Sequence, residues 1–551
     1  MQQKSLSVFT VAFFTAILVF GQTEDLHDLL KGELKTQFEE LSKKSTPAYF
    51  MSYRVADEHA FIAQGAFGSL TQLKKDEGRT LNVDVRVGSY EQDHSGGASN
   101  HQGMGGFGAM RLPLNDSPEA IRQAVWLAAD LKYKTAMQAF LMRDKSEEQQ
   151  KKDFTRAEPT QYLEKPKTYQ ISQETINEWS EAITGWSSIF KEHKDLVEGS
   201  VSVRFTWGTY YFLSTEGADI RQNQSNAEIQ IAASIRSEDG NIIPLHKSYF
   251  AADLWNLPAY EEVATDIEEM TEKLLQLQNA PLAEPYAGPA IFSGGASGVF
   301  FHEIFGHRIE ADRLTKNDDA QTFKDKIGKR ILPKFLNVTC DPTLQSIEGE
   351  YLSGTYTYDD QGVKSQKVTL VENGILKDFL RSRKPLFTGE KSNGHARAQA
   401  GLTPMSRQSN LLVTSSNQVS DEKLRKALIK VCKKQKREFG LFIEQVAGGY
   451  TMTNRYTPNA FHINPTVVYK VYTDGRPDEL VRGVDLIGTP LTMFSEIEAT
   501  GTQRETFYGY CGAESGYVPV TATSPAIFVG KIETQKKPEV NIDSPILTEP
   551  N

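Results

Sequence analysis

The sequence predicts an α+β protein of two parts: an α/β-mixed N-terminal domain over residues 22–285 and a strand-rich C-terminal domain over residues 286–533. Three observations predict it. The 551 residues exceed what one hydrophobic core ordinarily serves. Before residue 280, alternating apolar stretches are interleaved with stretches of helical spacing, whereas beyond Ile291 the patterns are almost all strand-like. Between them, Pro281, Pro285 and Pro289 crowd a short segment, which is the composition of a connector.

Residues 1–21 stand apart from this fold. Lys4 supplies a positive start, Val8 to Phe20 is an apolar run of about 13 residues, short of the ~20 that span a bilayer, and polar Gln22-Thr23-Glu24-Asp25 follows at once. This reads as a signal peptide, so the mature chain is expected to be exported, periplasmic or secreted, without a stable membrane span. Leu26 to Leu41 has helix-like apolar spacing, and short alternating runs such as Leu81 to Val87 within Phe50 to Gly88 read as strands. The glycine-rich stretch Ser95 to Gly108, near His94 and containing His101, reads as a loop and not as a ligand cluster.

Asp116-Ser117-Pro118-Glu119 has a capping residue followed by proline for a first helical turn, and Ile121 to Leu141 continues as a long helix. A polar segment, Asp144 to Lys167, follows. Strand patterns resume at Val201 to Phe205 and Ala227 to Ile235, before an amphipathic helix over Glu261 to Leu277. In the C-terminal part, Val368 to Val371 runs into the turn Glu372-Asn373-Gly374, and Thr466 to Tyr472 runs into Asp474-Gly475. One helix, Ser420 to Gln435, interrupts the strands, and the tail 534–551 is expected to be disordered.

The formal net charge of −10, with basic residues scattered along the chain, gives no positive surface for nucleic acid. Three cysteines, Cys340, Cys432 and Cys511, make a poor disulfide scaffold, which raises the question of which thiol has another task.

The chemistry concentrates between Gly294 and Glu310. A glycine-rich turn leads into a mostly apolar helical stretch holding His302, Glu303 and His307. Polar groups are costly to bury without partners, and a divalent metal satisfies both imidazoles while the adjacent carboxylate acts on water. Zinc-peptidase helices place their histidines four residues apart; here the step is five, which turns a straight helix by roughly 140° and would aim the rings apart. A wider, π-type turn eased by Gly306 would restore convergence. Zinc needs a third protein ligand, for which Cys511, Glu310, Asp312, His395 and His462 are candidates. Cys511 is preferred, because Tyr508-Gly509-Tyr510-Cys511-Gly512 lets backbone approach closely and a thiolate suits zinc. Cys432, inside the predicted helix, reads as a small buried hydrophobe.

His302-Glu303-Ile304-Phe305-Gly306-His307, Tyr358-Asp359-Asp360-Gln361-Gly362, Glu372-Asn373-Gly374-Ile375-Leu376, Gly448-Gly449 and Tyr510-Cys511-Gly512 occur in an order and spacing that resembles the TldD/PmbA metallopeptidases, in particular the TldD-type catalytic subunit. The resemblance runs from Ile291 to about Lys531 and is only general before that. It implies Zn2+ held by His302, His307 and Cys511, with Glu303 as the catalytic acid/base, acting on flexible or unfolded peptides held in extended form. It also implies a dimer, either of identical chains or with a sister subunit that lacks the zinc motif. The chain departs from the family in its length around Asp144 to Val201 and in its export signal.

Around that core, Glu310 and Asp312 are placed either behind His307 or at the surface, and Asp359 and Asp360 either along a cleft or in a solvated turn. Arg397 and Arg407 would bind a peptide carboxylate or pair with surface acids. The rival readings are a non-catalytic peptide-binding or partner subunit, which has no need of the complete His-Glu-His-Cys set, and a cysteine peptidase built on Cys511, which would resist chelators.

Overall fold

The computed structural model describes residues 25–93, 109–142, 154–315, 321–387, 389–451, 461–488 and 490–536. The signal-peptide reading of residues 1–21, the glycine-rich loop with His94 and His101, and the tail beyond 536 lie outside the described residues.

The chain opens with α1 (Leu26–Leu41), β1 (Ala48–Ala66), β2 (Ser69–Val87), β3 (Ala109–Arg111) and α2 (Pro118–Met142). It continues with β4 (Thr160–Leu163), α3 (Gln173–Ile189), β5 (Leu196–Ser214), β6 (Ala218–Arg236), β7 (Ile242–Ala251) and α4 (Tyr260–Gln278). The strands form one sheet in the order β3-β2-β1-β5-β6-β4, with β7 also paired to β6. β1 and β2 are antiparallel and turn at Phe67-Gly68, both at positive φ (45° and 71°), as a two-residue hairpin with right-handed strand twist requires.

Helices cover the sheet through two apolar clusters. α1 and α2 bury Leu29, Leu30, Ile121 and Val125 against Tyr53, Val83 and Val85. α3 and α4 bury Ile183, Trp186, Val263, Ile267 and Leu274 against Phe61, Val203, Phe205 and Ile229, and Val467 joins this cluster from the second sheet.

The helices expected over Leu26–Leu41, 121–141, 261–277 and 420–435 all form, the last as Asp421–Lys434 flanked by Ser420 and Gln435. α3 was not anticipated: it lies between the polar segment ending at Lys167 and the strand pattern that resumes at Val201. Its buried face is Thr175, Ile183, Trp186 and Ser187, too sparse in apolar positions to show a period, although Ser172 caps it by accepting from the Thr175 amide at 3.1 Å. The strands are much longer than the alternating runs: β5 and β6 each extend over 19 residues. Their polar halves, around Glu58, Tyr210 and Asn223 to Asn226, face a cleft, so the ladder continues where the apolar alternation stops.

Beyond β8 (Tyr286–Phe292), an eleven-stranded sheet is assembled from strands on both sides of Asp421–Lys434. β8 pairs with Phe439–Thr451 in parallel and with Gly516–Lys536 antiparallel. Together with Phe461–Tyr472 and Val484–Ile487, this closes a ring of five strands. The tail does not begin at 534: Thr534 to Lys536 stay in the last strand because Leu486 and Val484 pair with Thr534 and Lys536. Packed with these strands is an apolar core that includes Phe292, Phe300, Phe301, Ile304, Val338, Leu411, Ile443 and Ile527. Among the described residues between Leu314 and Asn410, by contrast, regular structure is limited to short strands of two to five residues.

Candidate metal centre

β8 delivers the chain into α5 (Gly294–Ile304). The glycines at its start are not a flexible turn. Ser293 caps the helix by accepting from the Ala296 amide at 3.1 Å, and a Cβ at Gly298 would stand 2.5 Å from the Ala522 carbonyl oxygen, so α5 lies directly on the last strand. Its end solves the spacing problem differently from a π-type turn. α5 stops at Ile304, Phe305 turns at φ −103°, and Gly306–Arg308 form a 3-10 turn. Arg308 Nη1 donates to the carbonyls of Glu303 (3.1 Å) and Ile304 (3.0 Å), which the helix end would otherwise leave unpaired. Any Cβ at position 306 would overlap the Gln408 amide, whose Nε2 donates to the His302 carbonyl at 3.3 Å. The rings of His302 and His307 thereby meet edge to face, centroids 5.0 Å apart.

Cys511 arrives on the strand Ile497–Ala513, held by its pairing with Val518. One potential ligand atom each from His302, His307 and Cys511 lie within 4.8 Å of one another, all three residues being buried. The Cys511 sulfur stands 3.4 Å from His307 Nε2. On the far side of that ring, Nδ1 stands 3.1 Å from Glu310 Oε2, which fixes the ring's orientation. Glu303 Oε2 lies 4.0 Å from His307 Nε2 and has no hydrogen-bond partner, and neither has His302 Nδ1. Burial alone would raise the Cys511 thiol, but the facing His307 and His302 rings hold it well below its usual range. Burial opposes the charge on His307, yet the Cys511 and Glu310 charges bring its pKa up to about 10. In Cys340 and Cys432 burial prevails and pushes the thiols up to about 11.

Of the sequence candidates, the structure gathers His302, Glu303, His307, Cys511 and Glu310. Glu310 is fully buried and also accepts from Arg313 Nε at 2.8 Å and from the Gln408 amide at 3.3 Å. Asp312 turns elsewhere, accepting from Ser382 Oγ at 2.6 Å and from the Ser406 amide at 3.2 Å. His395 is outside the cluster, its Nδ1 3.0 Å from the Asn393 carbonyl, and the His462 side chain lies outside the described residues.

Asp359 is no solvated turn: its carboxylate accepts from the amides of Gln361, Val363 and Ala396, and its burial raises the acid to about 7. Asp360 pairs with Arg54 at 3.2 Å. Asp359, Asp360 and Arg397 line a large cleft of about 1690 Å3, while the His-Cys cluster lines an adjoining one of about 420 Å3. Both arginines are turned toward backbone carbonyls. Arg397 donates to the carbonyls of Gln408 and Pro519, both at 2.8 Å. Arg407 donates to the Cys511 carbonyl (2.5 Å), Ser515 Oγ (2.8 Å) and the Gly516 carbonyl (3.0 Å), so it holds the ends of the Cys511 hairpin. Sequence reasoning missed Arg308 and Gln408; a lone arginine directly after His307 in an apolar stretch was the available signal.

Residues 285–536 match the family described as PmbA/TldA metallopeptidase C-terminal domain, which sets the class of the strand-rich half. Over these residues, a little under half of the chain, the protein is similar to the TldD/PmbA family. It is 30% identical over 271 residues to a metalloprotease of Archaeoglobus fulgidus, covering 49% of this chain and 58% of that one. It is 27% identical over 277 residues to a zinc metalloprotease TldD homolog of Saccharolobus solfataricus, covering 49% and 57%. The chain thus spans less than two thirds of the length of these two relatives. The crystal structure of TldE from Thermococcus kodakarensis shares the fold at a TM-score of 0.64 and 15% identity, covering 92% of this chain and all of that one.

Proposed function

We propose that the chain is a zinc-dependent peptidase acting on flexible or unfolded peptides, with His302, His307 and Cys511 as the ligands and Glu303 as the general base and acid. The observation that carries this reading is the convergence of two imidazoles and one thiol within 4.8 Å beside an unpartnered buried carboxylate. The donor set fits zinc: two nitrogens and a sulfur leave a fourth position open, and the unpaired His302 Nδ1 and Glu303 Oε2 are buried atoms in want of a partner. The names of the relatives support the same class.

Zinc bound there would supply a Lewis acid that polarises the scissile carbonyl and acidifies water. The chain's own groups do the rest. Glu303 takes the proton of the attacking water and returns it to the leaving amine nitrogen. Glu310 holds the proton on His307 Nδ1, so that Nε2 faces the cluster. The strand around Gly448 and Gly449, which lines the small cleft and slips register between Val446 and Gly449, offers backbone to an extended peptide.

We also propose an exported location, from the apolar Val8 to Phe20, and assembly as a dimer of identical or sister chains. No helix among the described residues is long and apolar enough to cross a membrane.

The test is Glu303→Gln. Bound metal, measured by elemental analysis, should be retained while turnover of an unstructured peptide falls by ~10² to 10⁴-fold. Wild-type activity should vanish with chelator and return with zinc; activity that ignores chelator but yields to thiol alkylation would favour a cysteine peptidase instead.

A further inference from the structure

Resting on the peptidase reading above, we propose that the junction of the two clefts is a subsite for a cationic side chain, so that the preferred peptides carry Lys or Arg beside the bond that is cut. The small cleft with His302, Glu303, His307 and Cys511 and the large one share Glu228, Gln230, Ser248, Phe250, Tyr508 and Tyr510 as lining. A peptide extending from the cluster into the larger cleft therefore crosses these side chains. The unpaired, buried Glu303 Oε2 and His302 Nδ1 mark the reacting end of that path.

The junction is built from rings and carboxylates. Phe250 stacks on Tyr508 with centroids 5.2 Å apart and planes 10° from parallel, and Tyr510 lies 6.2 Å from Phe250 at 52°. Asn226 fixes Tyr510 by donating to its hydroxyl at 3.0 Å. Glu228 is the register partner of Phe250 across β6 and β7, so carboxylate and ring stand side by side on one face of the sheet. Burial first, and then the Glu350 charge, raises the Tyr508 phenol. Among the described residues, Ser248 hydrogen-bonds Glu228, and Arg204, its exposed register partner on β5, is the cation that acts on it.

Nine carboxylates and three guanidinium groups line the larger cleft. Of these, Arg397 is turned to carbonyls, Asp359 to backbone amides and Asp360 to Arg54, which leaves seven carboxylates and two guanidinium groups. Ring faces next to carboxylates attract an ammonium or guanidinium by cation-π and Coulomb terms together, whereas an acidic side chain would meet Glu228 and Glu350 as like charges.

The experiment uses fluorescent unstructured peptides identical except for Lys, Ala or Glu at the centre. Their binding is measured by anisotropy to the zinc-loaded full-length Glu303→Gln protein, and wild-type cut sites are mapped by mass spectrometry. The lysine peptide should bind about tenfold more tightly than the glutamate peptide, and cuts should fall next to lysine. Adding Glu228→Gln should reduce that preference to about threefold or less and leave the alanine peptide unchanged, which also reports an intact fold. If Glu228→Gln disturbs the alanine peptide, Phe250→Leu takes its place, with the same loss of preference expected. Equal affinities for lysine and glutamate peptides would overturn the subsite. So would a preference that survives both substitutions, because the overall charge of −10 would then be selecting the peptide. A lysine preference with no cleavage by the wild type would leave the subsite standing and sink the hydrolytic reading.

Discussion

The helix-covered sheet of β1, β2, β5 and β6 and the segment from Gly306 to Asn410 both bury apolar side chains, but they differ in what else they bury. In the sheet, Phe61, Val201, Val203, Phe205, Ile229 and Ile231 are completely buried on long unbroken ladders, and stability comes from apolar area removed from water. In the segment, the fully buried side chains include Glu310, Arg407, Gln408 and Asn410, and the chain path is fixed by their bonds to backbone. Buried charges of this kind are weak sources of stability but strict about geometry. One region secures the fold; the other holds two histidines and a cysteine where a helix with a five-residue step would not.

Removing a member of the cluster should produce the largest break in that division of labour. Cys511→Ala takes away the thiol that joins the two rings, and the expected outcome is loss of stoichiometric zinc and of all chelator-sensitive peptide cleavage. Urea unfolding without metal should move little, since the residue replaced is small and sits in a minor apolar cluster with Val518 and Val520. A Cys511→Ala protein that binds zinc as the wild type does would remove the thiol from the ligand set.

The converse substitution lies in the sheet. Phe205 is fully buried, edge to face with Tyr169 at 4.9 Å and stacked on Trp207 at 4.8 Å. Phe205→Ala should lower unfolding stability by about 3–5 kcal/mol, while zinc content per folded molecule stays at the wild-type value. Parallel loss of metal at temperatures where the variant is still folded would show that the two regions are not separable in this way.

The two regions also differ in how much of them the sequence reveals. Periodicity found α1, α2 and α4 almost to the residue, because each buries an apolar stripe against the sheet. It missed α3, whose stripe is interrupted by Thr175 and Ser187, and it shortened β5 and β6 where they turn polar along the cleft. At the centre, residue type singled out His302, Glu303, His307 and Cys511, which the structure brings together. It could not choose between Glu310 and Asp312, only two positions apart, since that depends on the chain leaving α5 through a 3-10 turn. It also could not tell that Asp359, Arg397 and Arg407 serve backbone groups, because those partners are brought near by the fold alone.

A smaller effect tests the support behind the ligands. Glu310→Gln keeps the shape but removes the charge that faces His307, Arg313 and Arg407. Zinc affinity, measured by competition with a chromophoric chelator, should fall by about 10 to 100-fold, with catalysis partly recovered at saturating zinc. An unchanged affinity would mean that His307 is oriented by the 3-10 turn alone and that Glu310 serves only its two arginines.

The smallest effect concerns how the sheet is tied to the C-terminal strands. Asp239, in the turn after β6, receives Arg482 Nη1 at 2.8 Å, and burial is outweighed by Ser237 and Arg482, which bring its acid down to about 2. A carboxyl with a folded pKa below its unfolded value near 3.8 stabilises the native state above that unfolded value, and the contribution is lost as pH falls through the folded pKa. The partly exposed pair is screened by solvent, so Asp239→Asn should cost only about 0.5–1 kcal/mol near neutrality. The difference between wild type and variant, followed by denaturant midpoints, should stay constant down to about pH 4 and close between about pH 4 and 2. A gap that persists at pH 2 would assign the tie to the neutral hydrogen bonds of the turn and not to the ion pair. The link between the two regions would then be one of shape, without an electrostatic part.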